Sequence, residues 1–275
     1  MPATALTGIS HACFGLSYLL ALGFEAARLL RPIPWLRPAG VVAGVAGLVA
    51  HTAYLAYRHP SPAEPSAALL LVGWVLAVFA VYGTLHHARQ LWAVFVWPVV
   101  LGHVGLSLAL VSGTPNPGVP EWIVGDRAWG IIHGLLLLLA SIGLTVGCLA
   151  AVMYLVQAAR VKSKANPLGR LRLLSLERLE EMNRRAAYAA FPLLTAGLVL
   201  GGVLLRKHDW ASHWWNVKLL GTAALWLVCL LLMYLRYAVA VPARRFAWLS
   251  VVAFVLTVLC LAANHPFASG PGGGP

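Results

Sequence analysis

Ten histidines and eleven tryptophans stand in this chain beside only eight Asp and Glu residues. That balance directs the chemistry. Acid–base hydrolysis needs paired carboxylates, yet only Glu25 lies inside an apolar run, near its end. No H-E-x-x-H, no G-x-S-x-G and no phosphate-cradling glycine loop occurs. A hydrolase is disfavoured, and imidazole is the group left to do chemistry. A neutral imidazole ligates a metal through one ring nitrogen while a hydrogen bond at the other orients it.

Tryptophan clusters around particular histidines. Trp122 and Trp129 precede His133, and Trp210, Trp214 and Trp215 surround His213, with Lys218 close behind. Two imidazoles on opposite faces can hold a haem iron. A flat porphyrin wants aromatic walls, and a lysine can meet a propionate. His51 has only Tyr54, one turn on, as an aromatic neighbour in sequence. The same residues also fit plainer roles. Trp anchors helices at a membrane interface, and a lone histidine in a helix is often hydrogen-bonded packing.

The elements that position these groups are membrane-crossing helices. Hydrophobic residues make up 60% of the chain and charged residues 10%, against about 25% charged in a soluble domain. So few charges cannot cover a water-facing surface. A helix crosses the hydrocarbon with about 20 apolar residues, and eight runs qualify: 5–27, 39–58, 66–87, 91–112, 128–158, 187–205, 215–239 and 244–263. The reading is an all-α polytopic membrane protein, a single bundle over 1–267 with a disordered tail over 268–275. The first run is followed by Arg28 and Arg31 and not preceded by basic residues, the wrong polarity for a cleaved signal peptide.

The net charge of +12 sits between the apolar runs, which makes it a matter of topology and lipid head groups, not of nucleic acid. The first, third, fifth and seventh loops hold all the basic residues except Arg58, Arg127, Arg206, Lys207 and Lys218. The positive-inside rule then puts both termini outside the cytoplasm, in the cytoplasmic (inner) membrane. His133 and His265 fall at outer helix ends, and His86 and His87 on the cytoplasmic side. The cytoplasmic loop 159–186 carries Ser175 as a helix cap, then Leu176, Leu179 and Met182 on one face. That pattern predicts a short helix lying on the membrane. Cys13, Cys148, Cys229 and Cys260 are scattered through apolar runs without a C-x-x-C pair, so they read as separate buried thiols. Gly143/Gly147 and Gly197/Gly201 are small-xxx-small pairs that permit close helix contact.

The run His213-Trp-Trp-Asn-Val-Lys218, then Trp226 and Tyr234-Leu-Arg236, resembles the tryptophan-rich segment of CcsA-type cytochrome c assembly proteins. That segment reads approximately W-x-W-D-P-K-E, with a further Trp ten residues after the Asp. Trp129-Gly-Ile-Ile-His133 resembles the family's helix start bearing its first external haem ligand, and Ala263-Asn-His265-Pro-Phe sits where the second belongs. His51 falls where some members have an intramembrane His. Ala151–Gln157, Ser175-Leu-Glu-Arg-Leu and Phe191-Pro-Leu-Leu-Thr195 continue the likeness, which covers about 120–267. Asn216, Val217 and Leu219 stand where the family has Asp, Pro and Glu, and Tyr234 where longer members have a His. The pattern is therefore similar to the short HemX and YpjD branches.

The resemblance implies a role in cytochrome c biogenesis, with haem handled at the outer face. His133 and His265 would be axial ligands, Trp214 and Trp215 a platform, Lys218 a propionate contact, and Trp129 and His51 further cofactor contacts. It implies a haem-handling module rather than an enzyme, because covalent attachment needs apocytochrome c thiols and a membrane assembly partner. Two other roles stay open: a haem-free regulator or scaffold linked to haem biosynthesis, and an accessory of a cation transporter. The orientation is checked by reporter fusions. A fusion after Ala165 is expected to report cytoplasmic and one after Gly270 external; both reporting cytoplasmic would overturn the count of eight spans.

Overall fold

The computed structural model describes residues 10–31, 33–58, 60, 64–86, 92–110, 127–162, 174–206, 217–239 and 241–263. Among them the regular structure is entirely helical. The helices are α1 (His11–Leu30), α2 (Leu36–Arg58), α3 (Pro65–His86), α4 (Ala93–Ala109), α5 (Arg127–Lys162), α6 (Leu176–Arg206), α7 (Val217–Tyr237) and α8 (Ala243–Ala262). Seven are long and apolar enough to cross a membrane; α4, at 17 residues, is apolar but shorter. The all-α, membrane-spanning reading holds. Large apolar side chains such as Leu16, Val42, Ile131, Leu227 and Leu259 point outward, as lipid-facing residues should.

One difference concerns α6. The separate surface helix expected after Ser175 and the span expected from 187 are one unbroken helix of 31 residues. Between them lie Arg184, Arg185, Ala186, Ala187, Tyr188, Ala189 and Ala190, in which alanine and arginine favour helix and nothing supplies a stop. Glu181 pairs with both Arg184 and Arg185, and Glu180 with Arg236 of α7 at 3.0 Å.

The helices fall into two compact units. The first contains α1, α2, most of α3, α4 and the end of α5. Its seam is a helical stripe on α2, Gly40, Gly44, Gly47 and His51, all buried. Missing side chains there let rings from α1 and α4 approach. A Cβ on Gly47 would lie 2.7 Å from the Tyr18 ring, and one on Gly44 3.0 Å from the Trp97 ring. Glu25, 1% exposed, is held by Arg28 Nη1 at 2.9 and 2.7 Å. Arg37 donates to the Thr84 and Leu85 carbonyls, which α3 leaves unpaired at its C-terminus.

The second unit contains most of α5 with α6, α7 and α8. Its core joins Ala140 and Leu144, Ala187, Ala190 and Leu194, Leu225, Cys229 and Leu232, and Phe246 and Ala253, so each helix contributes. On α5, Gly143 faces the Ala190 Cβ and Gly147 faces Asn183 of α6. Hydroxyls in both units return to their own helix. Ser17 and Thr52 in the first unit, and Ser141, Thr145, Thr195, Ser250 and Thr257 in the second, each donate to the carbonyl four residues back. In a solvent without hydrogen bonds, that satisfies the group locally.

The α1–α2 seam predicts a size limit. Gly47→Val should lower the stability of the first unit by about 1–3 kcal/mol through overpacking. Gly23→Ala, at a position with nothing within 4 Å of the added carbon, should be neutral or mildly stabilising. Thermal unfolding of the two variants in detergent measures the contrast.

Candidate functional site

The site builds from one end of the second unit. His133 stands in the second turn of α5, where its side chain meets α6. Its Nδ1 lies 2.9 Å from the carbonyl oxygen of Gly197. A carbonyl only accepts, so Nδ1 carries the proton and Nε2 is the ring nitrogen that bears the lone pair. Gly201, one turn further along α6, is packed against the same ring: a Cβ there would lie 2.7 Å from Cε1 and 3.2 Å from Nδ1. The two glycines read in sequence as a helix-contact pair are thus the seat of the histidine.

Lys218, in the first turn of α7, donates from Nζ to the Ala263 carbonyl at 3.2 Å. Ala263 follows the last residue of α8, whose final carbonyls lack partners within the helix, and a cation there also meets the negative end of the helix dipole. Trp129, four residues before His133 and on the same side of α5, is 53% exposed. One layer inward, Trp226 Nε1 donates to Thr195 Oγ1 at 3.0 Å and its ring stacks on Phe191, centroids 6.1 Å apart. That contact ties α7 to α6 beside the seat.

Of the expected site residues, the structure places His133 and Lys218 in the second unit, each bonded to a different backbone carbonyl, and puts Trp129 on the same helix as His133. His265, Trp214 and Trp215 lie outside the described residues. Among the described residues no three His, Cys, Asp or Glu side chains come together to hold a bare metal ion. A porphyrin brings four nitrogen ligands of its own and asks the protein only for axial ones. An imidazole whose Nδ1–H is fixed by a carbonyl is the kind of donor such a group requires, so His133 has the chemistry to hold a haem iron.

The comparisons with known proteins bear on the same stretch. Residues 63–264 match the family described as cytochrome C assembly protein. The chain belongs to the cytochrome c assembly protein family. It is similar to the cytochrome c biogenesis protein CcsA of Gloeobacter violaceus, 22% identical over 302 aligned positions that cover 90% of this chain and 89% of the relative. The CcsA of Guillardia theta is 24% identical over 209 residues, 70% of this chain and 69% of that one. The CcsA of Nostoc punctiforme reaches 33% identity over 113 residues, 40% of this chain and 32% of its own. No solved structure matches the chain.

In this family member, His51 belongs to the first unit. It is completely buried, stacked on Phe14 with centroids 4.3 Å apart and planes 4° apart, and its Nδ1 lies 3.2 Å from the Tyr18 hydroxyl. Sequence neighbours suggested only Tyr54; the rings that enclose it come from α1, and the Tyr18 ring passes the stack on to Trp97. Its Nε2 is buried with no hydrogen-bond partner among the described residues. Cys148 and Cys229 are buried as expected, whereas Cys13 is exposed on α1.

Sequence reasoning missed Gly197 as a hydrogen-bond acceptor, Ala263 as the Lys218 partner, and Thr195 as the Trp226 partner. Two are backbone carbonyls, which carry no residue-type signal. The Lys218 cap is testable by hydrogen exchange. In Lys218→Met the amides of Leu261 to Ala263 should exchange about tenfold faster or more, from the loss of a hydrogen bond to a charged donor worth ~1.5 kcal/mol or more. Unchanged exchange would mean the cap does not hold the end of α8.

Proposed function

We propose that this protein handles haem for cytochrome c assembly at the outer face of the cytoplasmic membrane, with both termini on that side. The observation that carries the reading is the His133 Nδ1–Gly197 hydrogen bond, which lies within the segment matched by the family. It gives the imidazole the orientation and tautomer an axial ligand needs.

In this reading His133 and His265 would hold the haem iron. Lys218 ties down the end of α8, two residues before His265, and its charge would suit a haem propionate. Trp214, Trp215 and Trp129 wall the planar face. Apolar packing below, from Leu194 and Leu225, keeps water from the inner side. Haem held there would supply the porphyrin for attachment to apocytochrome c thiols; the chain's own residues would bind, orient and release it, and a membrane assembly partner would complete the attachment. His51, enclosed by Phe14 and Tyr18 in the first unit, is a second cofactor contact by resemblance only. The replacement of the family's carboxylates by Asn216 and Leu219 and of its intramembrane histidine by Tyr234 supports membership of the short HemX/YpjD-like branch. Those same replacements favour one rival, a haem-free regulator.

The visible spectrum of the purified full chain separates these readings. A copurifying Soret band is expected, weakened in His133→Ala and in His265→Ala and unchanged in His86→Ala. Absence of the band from the wild type after expression with sufficient haem supports the regulator. Retention of the full band when both outer histidines are replaced would remove them as ligands.

A further inference from the structure

The strongest further observation is that the two glycines under His133 are not equivalent. A Cβ on Gly197 would meet Leu137 Cδ2 at 2.7 Å, whereas a Cβ on Gly201 would meet the imidazole itself, with Cε1 at 2.7 Å, Nδ1 at 3.2 Å and Nε2 at 3.5 Å. Gly197 therefore sets how closely α5 approaches α6, which is what puts its carbonyl within 2.9 Å of Nδ1. Gly201 sets the room for the ring.

We propose that Gly201 is the positioning residue of the haem-ligand histidine: the gap left by its missing side chain seats the His133 imidazole so that Nδ1–H meets the Gly197 carbonyl and Nε2 is presented to iron. The proposal rests on the reading that His133 ligates haem. Leu137 can swing its terminal methyls aside to accept a new neighbour. The His133 ring cannot do the same, because moving its edge away from residue 201 pulls Nδ1 off the carbonyl oxygen. A methyl at 201 thus forces a choice between the hydrogen bond and the packing, and either choice turns Nε2 from its direction. An outer-shell hydrogen bond of this kind fixes the tautomer and raises the basicity of the ligating nitrogen, and its loss costs typically 10–100-fold in affinity for the metal. Gly202, the next residue, has nothing within 4 Å of an added Cβ. The same glycine-to-alanine change one position on therefore alters helix propensity equally without touching the ring.

The test titrates ferric haem into the full chain in lipid nanodiscs, comparing the wild type with Gly201→Ala, Gly202→Ala and His133→Ala. Gly201→Ala should bind haem about 10–100-fold more weakly and shift the bound haem from low-spin to high-spin absorption, with helicity matching Gly202→Ala. Gly202→Ala should keep wild-type affinity and spin state. Wild-type affinity and spin state in Gly201→Ala overturn the seat while leaving the haem reading standing; equal losses in both alanine variants also overturn it. A wild type that binds no haem overturns both the reading and the seat. Should Gly201→Ala fail to fold, the double variant with His133→Gly decides: recovery of folding shows that the clash is with the ring and upholds the seat, and continued failure overturns it.

Discussion

One carbonyl oxygen organises the functional end of this protein. Gly197 lies inside α6, so its oxygen already accepts the amide four residues on, that of Gly201, in the ordinary helical pattern. His133 takes its second lone pair, from a residue 64 positions earlier in the chain. Such a bond requires that α5 and α6 lie unusually close, and glycine at 197 and 201 makes the approach possible. The direction of the imidazole, its tautomer and the position of its Nε2 then follow from helix packing.

The apolar solvent explains why so little else is polar and why most of what is polar is paired; the buried His51 Nε2 is an exception among the described residues. A group left without a partner in hydrocarbon costs several kcal/mol. Hydroxyls return to the preceding turn, Trp74 donates to Thr52 across α2 and α3, and Glu25 is neutralised by Arg28 on its own helix. The same economy governs the site. Trp226 and Thr195 satisfy each other beside the histidine seat, and Lys218 satisfies the end of α8, so both side chains hold helices in place at the positions where chemistry is expected.

Much of the helical architecture was legible from apolar run lengths, because the hydrocarbon thickness sets the length of each element. The ends of α6 were not: the charged stretch around Arg184 and Arg185 reads as a boundary by hydropathy, yet its residues are good helix formers and the backbone continues through them. In the site, His133 and the Gly197/Gly201 pair were each visible, as a ligand type and as a contact motif. Their combination was not, since an acceptor on the backbone belongs to every residue and only the fold selects which one is reached. The burial of His51 was equally hidden. Its neighbours Phe14 and Tyr18 come from another helix, 33 or more residues away, and a helical periodicity within α2 says nothing about which rings α1 will supply.

A backbone carbonyl holds His133 with its proton on Nδ1 and its lone pair on Nε2. Nitrogen-15 NMR of histidine-labelled protein in lipid, with the His133 signals assigned by their loss in His133→Ala, measures this directly. The account predicts a protonated, hydrogen-bonded Nδ1 and an unprotonated Nε2 in the haem-free protein, with only the Nε2 resonance displaced when haem is added. A proton on Nε2, or a Nδ1 resonance that responds to haem as the ligating nitrogen, would contradict it.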